Sequence, residues 1–232
     1  MVEAARTLIL ADGAAPARAD LDAAWPGWDA GVGFVIAADG GARHAPAFGL
    51  RLDRWVGDGD SIDDATLADL AASGVSLRHA EPEKDESDAE LALLEAIAEG
   101  AREITILGAL GGVRVDHALA NVALLQHPAL EGRPVTLFDE RATRISLLEA
   151  GDAGEVVSRA FEGREGDLVS LLPLGGVAAG VTTQGLRYQL ADEPLQLGRS
   201  RGLSNVRTAP VARISLGSGR LLVIETPARF RP

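Results

Sequence analysis

Four carboxylates crowd into seven residues directly after a short apolar run, in the stretch RWVGDGDSIDD. Glycines flank Asp58 and Asp60, and glycine lets a loop backbone approach a ligand closely. Two carboxylates two residues apart can share a hard cation such as Mg²⁺, which keeps some waters and contacts substrate phosphates. Asp63 and Asp64 have a simpler explanation, because acidic residues cap a helix start and suit its dipole. That explanation is also open for Asp58 and Asp60.

A second acidic stretch, EPEKDESDAE, covers residues 81–90 and contains a single positive charge. That charge is Lys84, which could bind a phosphate as a compact point charge beside a metal ion. Ser87 and Glu90 have the spacing of a capping box, so Asp88 lies at a helix start, where it could complete the cation's ligand set. The other carboxylates are better explained as a solvated loop: Glu81, Glu83 and Glu86.

A third polar cluster, GALGGVRVDHALAN, follows another apolar run. Gly111 and Gly112 leave backbone N–H groups free to bind an anion before a helix begins. Arg114 could hold a phosphate through two hydrogen bonds. Three further polar residues continue into the helix: Asp116, His117 and Asn121. The alternative is that Asp116 only caps the helix and His117 packs beneath it, and for His117 a core or supporting role is favoured over that of a base.

Apolar runs and helix-like segments alternate throughout the first part of the chain. The predicted strands are TLILADG, FVIAADGG, RWVGD, SLRHA, EITILGA and PVTLFDE. The predicted helices are ADLDAAW, DDATLADLAASG, SDAELALLEAIAEG and VDHALANVALLQH, and a turn is predicted for ARHAPAFG. The alternation predicts βαβ units, and therefore an α/β fold with a largely parallel, Rossmann-like sheet.

The polar clusters follow the carboxyl ends of these predicted strands. In an open parallel sheet, ligands collect beyond those ends. Asp39, Gly40 and Gly41 also follow a strand, so they join the candidate site. The agreement of independent clusters on one sheet edge weighs more than any single motif.

Near residue 145 the pattern changes to short apolar runs separated by Gly, Pro, Asp and Ser. DLVSLLPLGG, GVTTQGLRYQL, VARISLG and RLLVIETP are predicted strands, and no long helix is expected. The sequence therefore predicts an α/β domain over residues 1–145 and a smaller all-β, sandwich-like domain over residues 146–232.

Composition excludes several classes of protein. The 232 residues contain no cysteine, which rules out disulfides, zinc–thiolate sites and thiol nucleophiles. The formal net charge of −12 argues against a nucleic-acid partner, since that binding depends on clustered lysine and arginine. No apolar run is long enough to span a membrane, and the run after Arg6 is too short for a signal peptide, so we expect a cytoplasmic protein.

Familiar catalytic motifs are also missing from the sequence. No nucleophile elbow follows a strand, and there is no Walker A pattern. ADGGARHAPAFG lacks the complete dinucleotide fingerprint. A serine hydrolase, a P-loop enzyme and a nicotinamide enzyme are therefore not expected.

Taken together, these segments resemble the thiamine pyrophosphokinase (thiamine diphosphokinase) family. The resemblance rests on ADGGA, GDGDSI, KDESDAELAL and GALGG-VRVDHALAN, and near the end on GLRYQL and GLSN. It covers most of the chain, and the order and spacing of the segments make the set specific. It implies transfer of a diphosphate from ATP, the co-substrate, to the hydroxyethyl group of thiamine, with Mg²⁺ required. It also implies a homodimer with active sites between subunits.

The resemblance assigns roles to individual residues. The catalytic set that it implies is Asp58, Asp60, Lys84, Ser87 and Asp88, and the three aspartates are the implied Mg²⁺ ligands. The implied nucleotide-binding set is Asp39, Gly40, Gly41, Gly111, Gly112, Arg114, Asp116, His117 and Asn121. In the all-β domain, the implied substrate-binding residues are Tyr188, Ser204 and Asn205.

Two departures from the family pattern stand out. Ser87 replaces a usual threonine, a mild change because the hydroxyl is kept. The family commonly reads GGR-x-DH, whereas Val113 here separates the glycines from Arg114, which must reach the phosphates through a reshaped turn. Two alternative functions are a related Mg²⁺-dependent diphosphotransferase acting on another small alcohol, such as a hydroxymethylpterin, and a non-catalytic nucleotide- or thiamine-binding regulator. Three convergent carboxylates argue against the regulator.

Overall fold

The computed structural model describes residues 6–81, 83–151 and 155–230. The chain divides into two compact units, Met1–Arg141 and Ala142–Pro232. The boundary predicted after residue 145 lies slightly beyond this observed boundary, inside the first strand of the second unit.

The first unit is built on a parallel sheet. Its strands are β1 (Arg6–Leu10), β2 (Val32–Ala38), β3 (Arg54–Gly57), β4 (Ser76–His79), β5 (Glu103–Leu107) and β6 (Val135–Phe138). They lie side by side in the order β6-β5-β1-β2-β3-β4, and all of these pairings are parallel. The predicted Rossmann-like α/β fold is confirmed. Because parallel strands run the same way, their carboxyl ends share one edge.

Helices connect these strands. They are α1 (Arg18–Ala24), α2 (Asp64–Ala72), α3 (Asp88–Ala98) and α4 (Val115–Ala123). The start of α3 follows from its sequence, because Ser87 Oγ accepts a hydrogen bond from the Glu90 N–H at 3.2 Å. Gly100 follows it with a positive φ of 84°, the conformation that ends helices and suits glycine. None of the helices in the described ranges is long and apolar enough to cross a membrane.

The segment after β2 differs from the prediction. ARHAPAFG was expected to turn, but Asp39–Phe48 forms a 3₁₀-helix. A 3₁₀-helix has three residues per turn, so residues three apart share a face. Ala42, Ala45 and Phe48 have that spacing and all are buried, which explains why this segment coils instead of turning once.

The second unit is all-β, as predicted. Its strands are β7 (Arg144–Glu149), β8 (Val157–Glu162), β9 (Leu168–Pro173), β10 (Ala178–Gln184), β11 (Glu193–Leu195), β12 (Asn205–Val206), β13 (Val211–Leu216) and β14 (Arg220–Thr226). They form two antiparallel layers, β12-β9-β14-β7 and β11-β10-β13-β8. One buried core joins residues of both layers, including Leu171 and Val223 from one and Val181 and Ile214 from the other. The sandwich-like prediction is confirmed.

Candidate active site

The carboxyl ends of β1, β2, β3 and β5 line a cavity of about 530 Å³ in the first unit. Most predicted site residues of this unit meet there: Asp39, Asp58, Asp60, Lys84, Ser87, Asp88, Gly111, Gly112, Arg114, His117 and Asn121. Three others do not line it: Gly40, Gly41 and Asp116. The convergence matches the expectation for the edge of a parallel sheet.

Asp39 directly follows β2, and its backbone is held by neighbouring residues. It is 2% exposed, and its backbone adopts a left-handed conformation with φ of 44°. The buried indole of Trp55, in the neighbouring strand β3, donates its Nε1–H to the Asp39 carbonyl oxygen at 3.0 Å. Gly57 leaves room for this turn, since a Cβ atom there would lie 2.8 Å from the Cβ of Asp39. Strand β3 thus fixes where the Asp39 carboxyl points.

Asp39, Asp58 and Asp60 form a compact carboxylate trio. One oxygen from each lies within 4.8 Å of the other two. Asp39 Oδ2 accepts a hydrogen bond from the Ser61 N–H at 3.2 Å, whereas Oδ1 is buried and has no hydrogen-bond partner among the described residues. Burial, together with the nearby carboxylates of Asp60 and Asp88, raises the pKa of Asp39 to about 6. A hard divalent cation would satisfy the unpaired oxygen and offset the repulsion, so this donor set fits Mg²⁺.

The trio differs from the predicted metal ligands Asp58, Asp60 and Asp88. Asp88 lies 2.9 Å from Lys84 Nζ, and the same nitrogen donates to Asp58 Oδ2 at 3.0 Å. The hydrogen bond from Lys84 lowers the pKa of Asp58. Burial alone would lower the pKa of Lys84, but its hydrogen bonds to Asp88 and Asp58 raise it. Asp39 therefore completes the compact trio, and the role of Asp88 as a metal ligand stays a prediction.

The glycine-rich loop after β5 is held by buried contacts. Asn121, buried on α4, donates from Nδ2 to the carbonyl oxygen of Ala109 at 2.7 Å. Gly13 donates its N–H to Gly108 O at 2.9 Å, and a Cβ on Gly13 would come within 2.3 Å of that oxygen. Glycine is required at this close approach of two loops.

Arg114 is positioned by Asp116. The guanidinium donates to both carboxylate oxygens, with the two shortest contacts at 2.6 and 2.9 Å, and it lowers the pKa of Asp116. Asp116 was considered as a helix cap, but Arg114 occupies the cap position and Asp116 lies in the first turn. The inserted Val113 is 98% exposed. His117, expected beneath the helix, is exposed and lines the cavity.

Several residues that line the cavity were not predicted from the sequence: Asp12, Gly13, Gly108, Ala109 and Glu86. Arg43 forms an ion pair with Asp12 and donates to the Gly40 carbonyl oxygen at 3.2 Å, so it ties together the ends of β1 and β2. A signal was present, because the same tripeptide, Ala-Asp-Gly, occurs at the carboxyl end of both strands. Glu86 had been assigned to a solvated loop.

The predicted substrate-binding residues of the second unit lie together. Asn205 accepts a hydrogen bond from the Tyr188 N–H at 2.9 Å and donates from Nδ2 to the Tyr188 carbonyl oxygen at 2.6 Å. Asn205 is buried, whereas Tyr188 is 59% exposed and Ser204 is exposed with a positive φ of 53°. The Asn205 side chain thus holds the backbone of Tyr188 in place. The thiamine-binding role of all three residues stays a prediction.

A parallel α/β sheet with an acidic, glycine-lined cavity at its carboxyl edge is typical of proteins that bind a phosphorylated ligand together with a hard cation. Comparison with known proteins is more specific. Residues 30–137 match the model of the thiamin pyrophosphokinase catalytic domain, and residues 156–221 match that of the thiamin pyrophosphokinase vitamin B1 binding domain. The chain belongs to the thiamin pyrophosphokinase family.

Individual relatives agree with this assignment. The thiamine pyrophosphokinase of Bacillus subtilis is 27% identical over 202 residues, which span 87% of this chain and 86% of that protein. A crystal structure of a thiamin pyrophosphokinase family protein from Enterococcus faecalis superimposes with a TM-score of 0.77 at 27% identity, covering 95% of this chain and 98% of the other. A Bacillus subtilis thiamine pyrophosphokinase structure, at 24% identity, supports the fold with a TM-score of 0.80 over 96% of this chain and 99% of the other.

The raised pKa of Asp39 leads to a stability prediction. Between the ordinary value of 3.8 and about 6, the folded protein binds more protons than the unfolded chain, so stability falls as pH rises through this window. Asp39→Asn cannot titrate, so with EDTA present it should be more stable than the wild type at pH 8, on the order of 2 kcal/mol. Urea unfolding at pH 8 and pH 4 measures this, and the difference should nearly vanish at pH 4. Asp64→Asn, at an exposed helix position, is the control; an equal Asp39→Asn effect at both pH values would contradict the prediction.

Proposed function

We propose that this chain transfers the diphosphate group of ATP to the hydroxyl of thiamine, giving thiamine diphosphate and AMP. The observation that carries the proposal is the match of both family domains, in order, on one chain, with the acidic cavity inside the catalytic match. The named relative from Bacillus subtilis supports the same activity.

The cavity has the charges that this reaction needs. The hydroxyl oxygen attacks the β-phosphorus, the bond from that phosphorus to the oxygen bridging the α-phosphorus breaks, and AMP leaves with the bridging oxygen. Such a transfer depends on positioning and charge neutralisation more than on covalent catalysis. Carboxylates outnumber cationic side chains in the cavity and would repel bare ATP. Mg²⁺ held by Asp39, Asp58 and Asp60 would supply the missing positive charge.

Other cavity residues have supporting roles in this proposal. Lys84 and Arg114 are the cationic side chains that contact phosphate oxygens. The loops at Gly13 and Gly111 let the backbone approach the nucleotide. Asp60 and Asp88 are the candidate acceptors of the hydroxyl proton, which leaves as the new bond to phosphorus forms.

The thiamine side of the site is assigned to the second unit. Thiamine carries a permanently cationic thiazolium ring, which suits an acidic cavity. Tyr188, Ser204 and Asn205 provide the substrate-binding surface, and the active enzyme is a cytoplasmic homodimer with active sites between subunits. Light scattering of the purified protein tests the dimer, since a monomer that retains full activity would contradict this part of the proposal.

A direct assay tests the proposed reaction. Incubation with ATP, Mg²⁺ and thiamine should yield AMP and thiamine diphosphate in equal amounts, and EDTA should abolish both until excess Mg²⁺ is restored. Turnover of a hydroxymethylpterin with none of thiamine would favour the alternative diphosphotransferase. Tight binding of ATP and thiamine without any product would favour the regulator.

A further inference from the structure

Lys84 is the only lysine of the chain, and all of the other basic residues among the 22 lysines and arginines are arginine. It lies at the cavity and its side chain is 12% exposed. Arginine is the usual residue for a fixed, two-pronged pair with a carboxylate. An ammonium on a flexible stem is instead a compact point charge that can change partners.

Asp58 belongs to two charged groups at once. It is a member of the trio with Asp39 and Asp60, and it is also the partner of Lys84. Both of its carboxylate oxygens are engaged, because Oδ2 accepts from Lys84 at 3.0 Å and Oδ1 accepts from the Asp60 N–H at 3.2 Å. A divalent cation that binds Asp58 is therefore repelled by the positive charge of Lys84, which is paired with the same carboxylate.

Asp88 gives Lys84 a second, independent anchor. It lies four residues further on, at the first position of α3, with its Oδ1 2.9 Å from Nζ. If the ammonium releases Asp58, it keeps Asp88 and stays at the cavity. It then has room for one new anionic partner, and phosphate oxygens are the anions that the proposed reaction brings there.

We propose that Lys84 couples cation binding to polyphosphate binding: its ammonium shields Asp58 from a divalent cation alone and releases that carboxylate when a polyphosphate oxygen replaces it. Lys84 is thus a positioning residue that makes the site favour a cation arriving with the polyphosphate. The identity of the polyphosphate as part of a nucleotide rests on the proposed function.

The charge of Lys84 should act in opposite directions on the two ligands. Lys84→Met removes the charge and keeps an unbranched stem, so Mn²⁺ alone should bind at least about tenfold more tightly. Unit charges a few ångströms apart near a protein surface interact by more than the 1.4 kcal/mol that a factor of ten requires. Inorganic tripolyphosphate alone should bind about tenfold more weakly. Each ligand should strengthen binding of the other by one common factor. Lys84→Met should change this factor equally whether Mn²⁺ or tripolyphosphate is added first.

Isothermal titration calorimetry of the full chain tests these directions. MnCl₂ and tripolyphosphate are titrated separately and together into the wild type, Lys84→Met and Lys84→Arg. Lys84→Arg keeps the charge, so its affinity for Mn²⁺ alone should stay near that of the wild type. Unchanged Mn²⁺ affinity in Lys84→Met, or weaker binding of both ligands, would overturn the proposal, and so would an arginine variant that behaves like the methionine variant.

A single lysine also provides a direct reporter. Labelling with ¹⁵N-lysine gives one side-chain ammonium resonance, which needs no variant. Mg²⁺ alone at submillimolar concentration should leave it nearly unmoved, whereas tripolyphosphate with Mg²⁺ should shift it. A resonance that moves with neither addition would refute the exchange of partners.

Turnover separates this inference from the proposed function. Opposite effects on Mn²⁺ and tripolyphosphate without turnover of thiamine would uphold the role of Lys84 and reject the proposed reaction. Normal turnover with no dependence of Mn²⁺ affinity on Lys84 would do the reverse.

Discussion

Asp60→Asn is expected to lower kcat for diphosphate transfer by about 10³-fold or more while leaving the melting temperature unchanged or slightly higher. Activity is lost because the negative charge of Asp60 helps the trio to hold the cation. Stabilisation of the transferring group by that cation is worth several kcal/mol. Stability is spared because Asp60 is exposed on the loop after Gly59, and its charge acts against the buried Asp39. Calorimetric melting with EDTA and a coupled AMP assay measure the two effects.

Asp63→Ala is the matched control within the same acidic run. Asp63 caps α2, accepting hydrogen bonds from the Thr66 N–H at 2.9 Å and the Thr66 hydroxyl at 2.7 Å. Its removal should lower the melting temperature and leave activity per folded molecule intact. If Asp60→Asn instead unfolds the protein while Asp63→Ala inactivates it, the division of this run into ligands and cap is wrong.

The position of the site could be predicted from the sequence because the direction of the strands determines which chain segments meet. Alternating strands and helices predict a parallel sheet, and a parallel sheet brings every strand's carboxyl end to one edge. Asp39 and Asp58 are separated by an entire connection in sequence, yet both follow strands, so their meeting was predictable without any knowledge of side-chain contacts.

The choice between Asp39 and Asp88 as a partner of Asp58 and Asp60 could not be predicted in the same way. Spacing places all four carboxylates at one cavity, but the side-chain contacts decide which of them lie closest together. Lys84 lies between Asp58 and Asp88, and the Trp55 indole, from a neighbouring strand, holds the backbone of Asp39. These contacts depend on packing between segments distant in sequence.

Some features that were not predicted had a signal in the sequence. The repeated Ala-Asp-Gly at the carboxyl ends of β1 and β2 marks equivalent positions and could have identified Asp12. The period of three in Ala42, Ala45 and Phe48 could have indicated the 3₁₀-helix. No such signal indicated that His117 is exposed. Helix α4 buries only Asn121, although its sequence pattern resembles that of a helix packed against a core.

Glu225→Gln is expected to destabilise the second unit by about 3–5 kcal/mol, because it leaves a buried guanidinium charge without its counter-ion. Glu225 and Arg207 both have fully buried side chains, and Arg207 Nη2 donates to Glu225 Oε1 at 2.5 Å. Arg144 donates to the same carboxylate from Nε at 2.7 Å. Burial lowers the pKa of Arg207 while the charge of Glu225 opposes this, and an arginine remains protonated in either case.

Urea unfolding followed by far-UV circular dichroism measures this loss. Glu149→Gln is the matched control, because Glu149 and Arg220 form a half-exposed pair at 2.6 Å on the same strands, β7 and β14, and such pairs contribute about 1 kcal/mol or less. The three tryptophans all lie in the first unit, so their fluorescence reports whether that unit unfolds separately. Arg207→Met combined with Glu225→Leu should recover much of the loss, since apolar residues of similar volume can replace a buried ion pair. Similar small losses in Glu225→Gln and Glu149→Gln, or no recovery in the double variant, would show that packing around these side chains, and not their buried charge, determines the stability of this sheet.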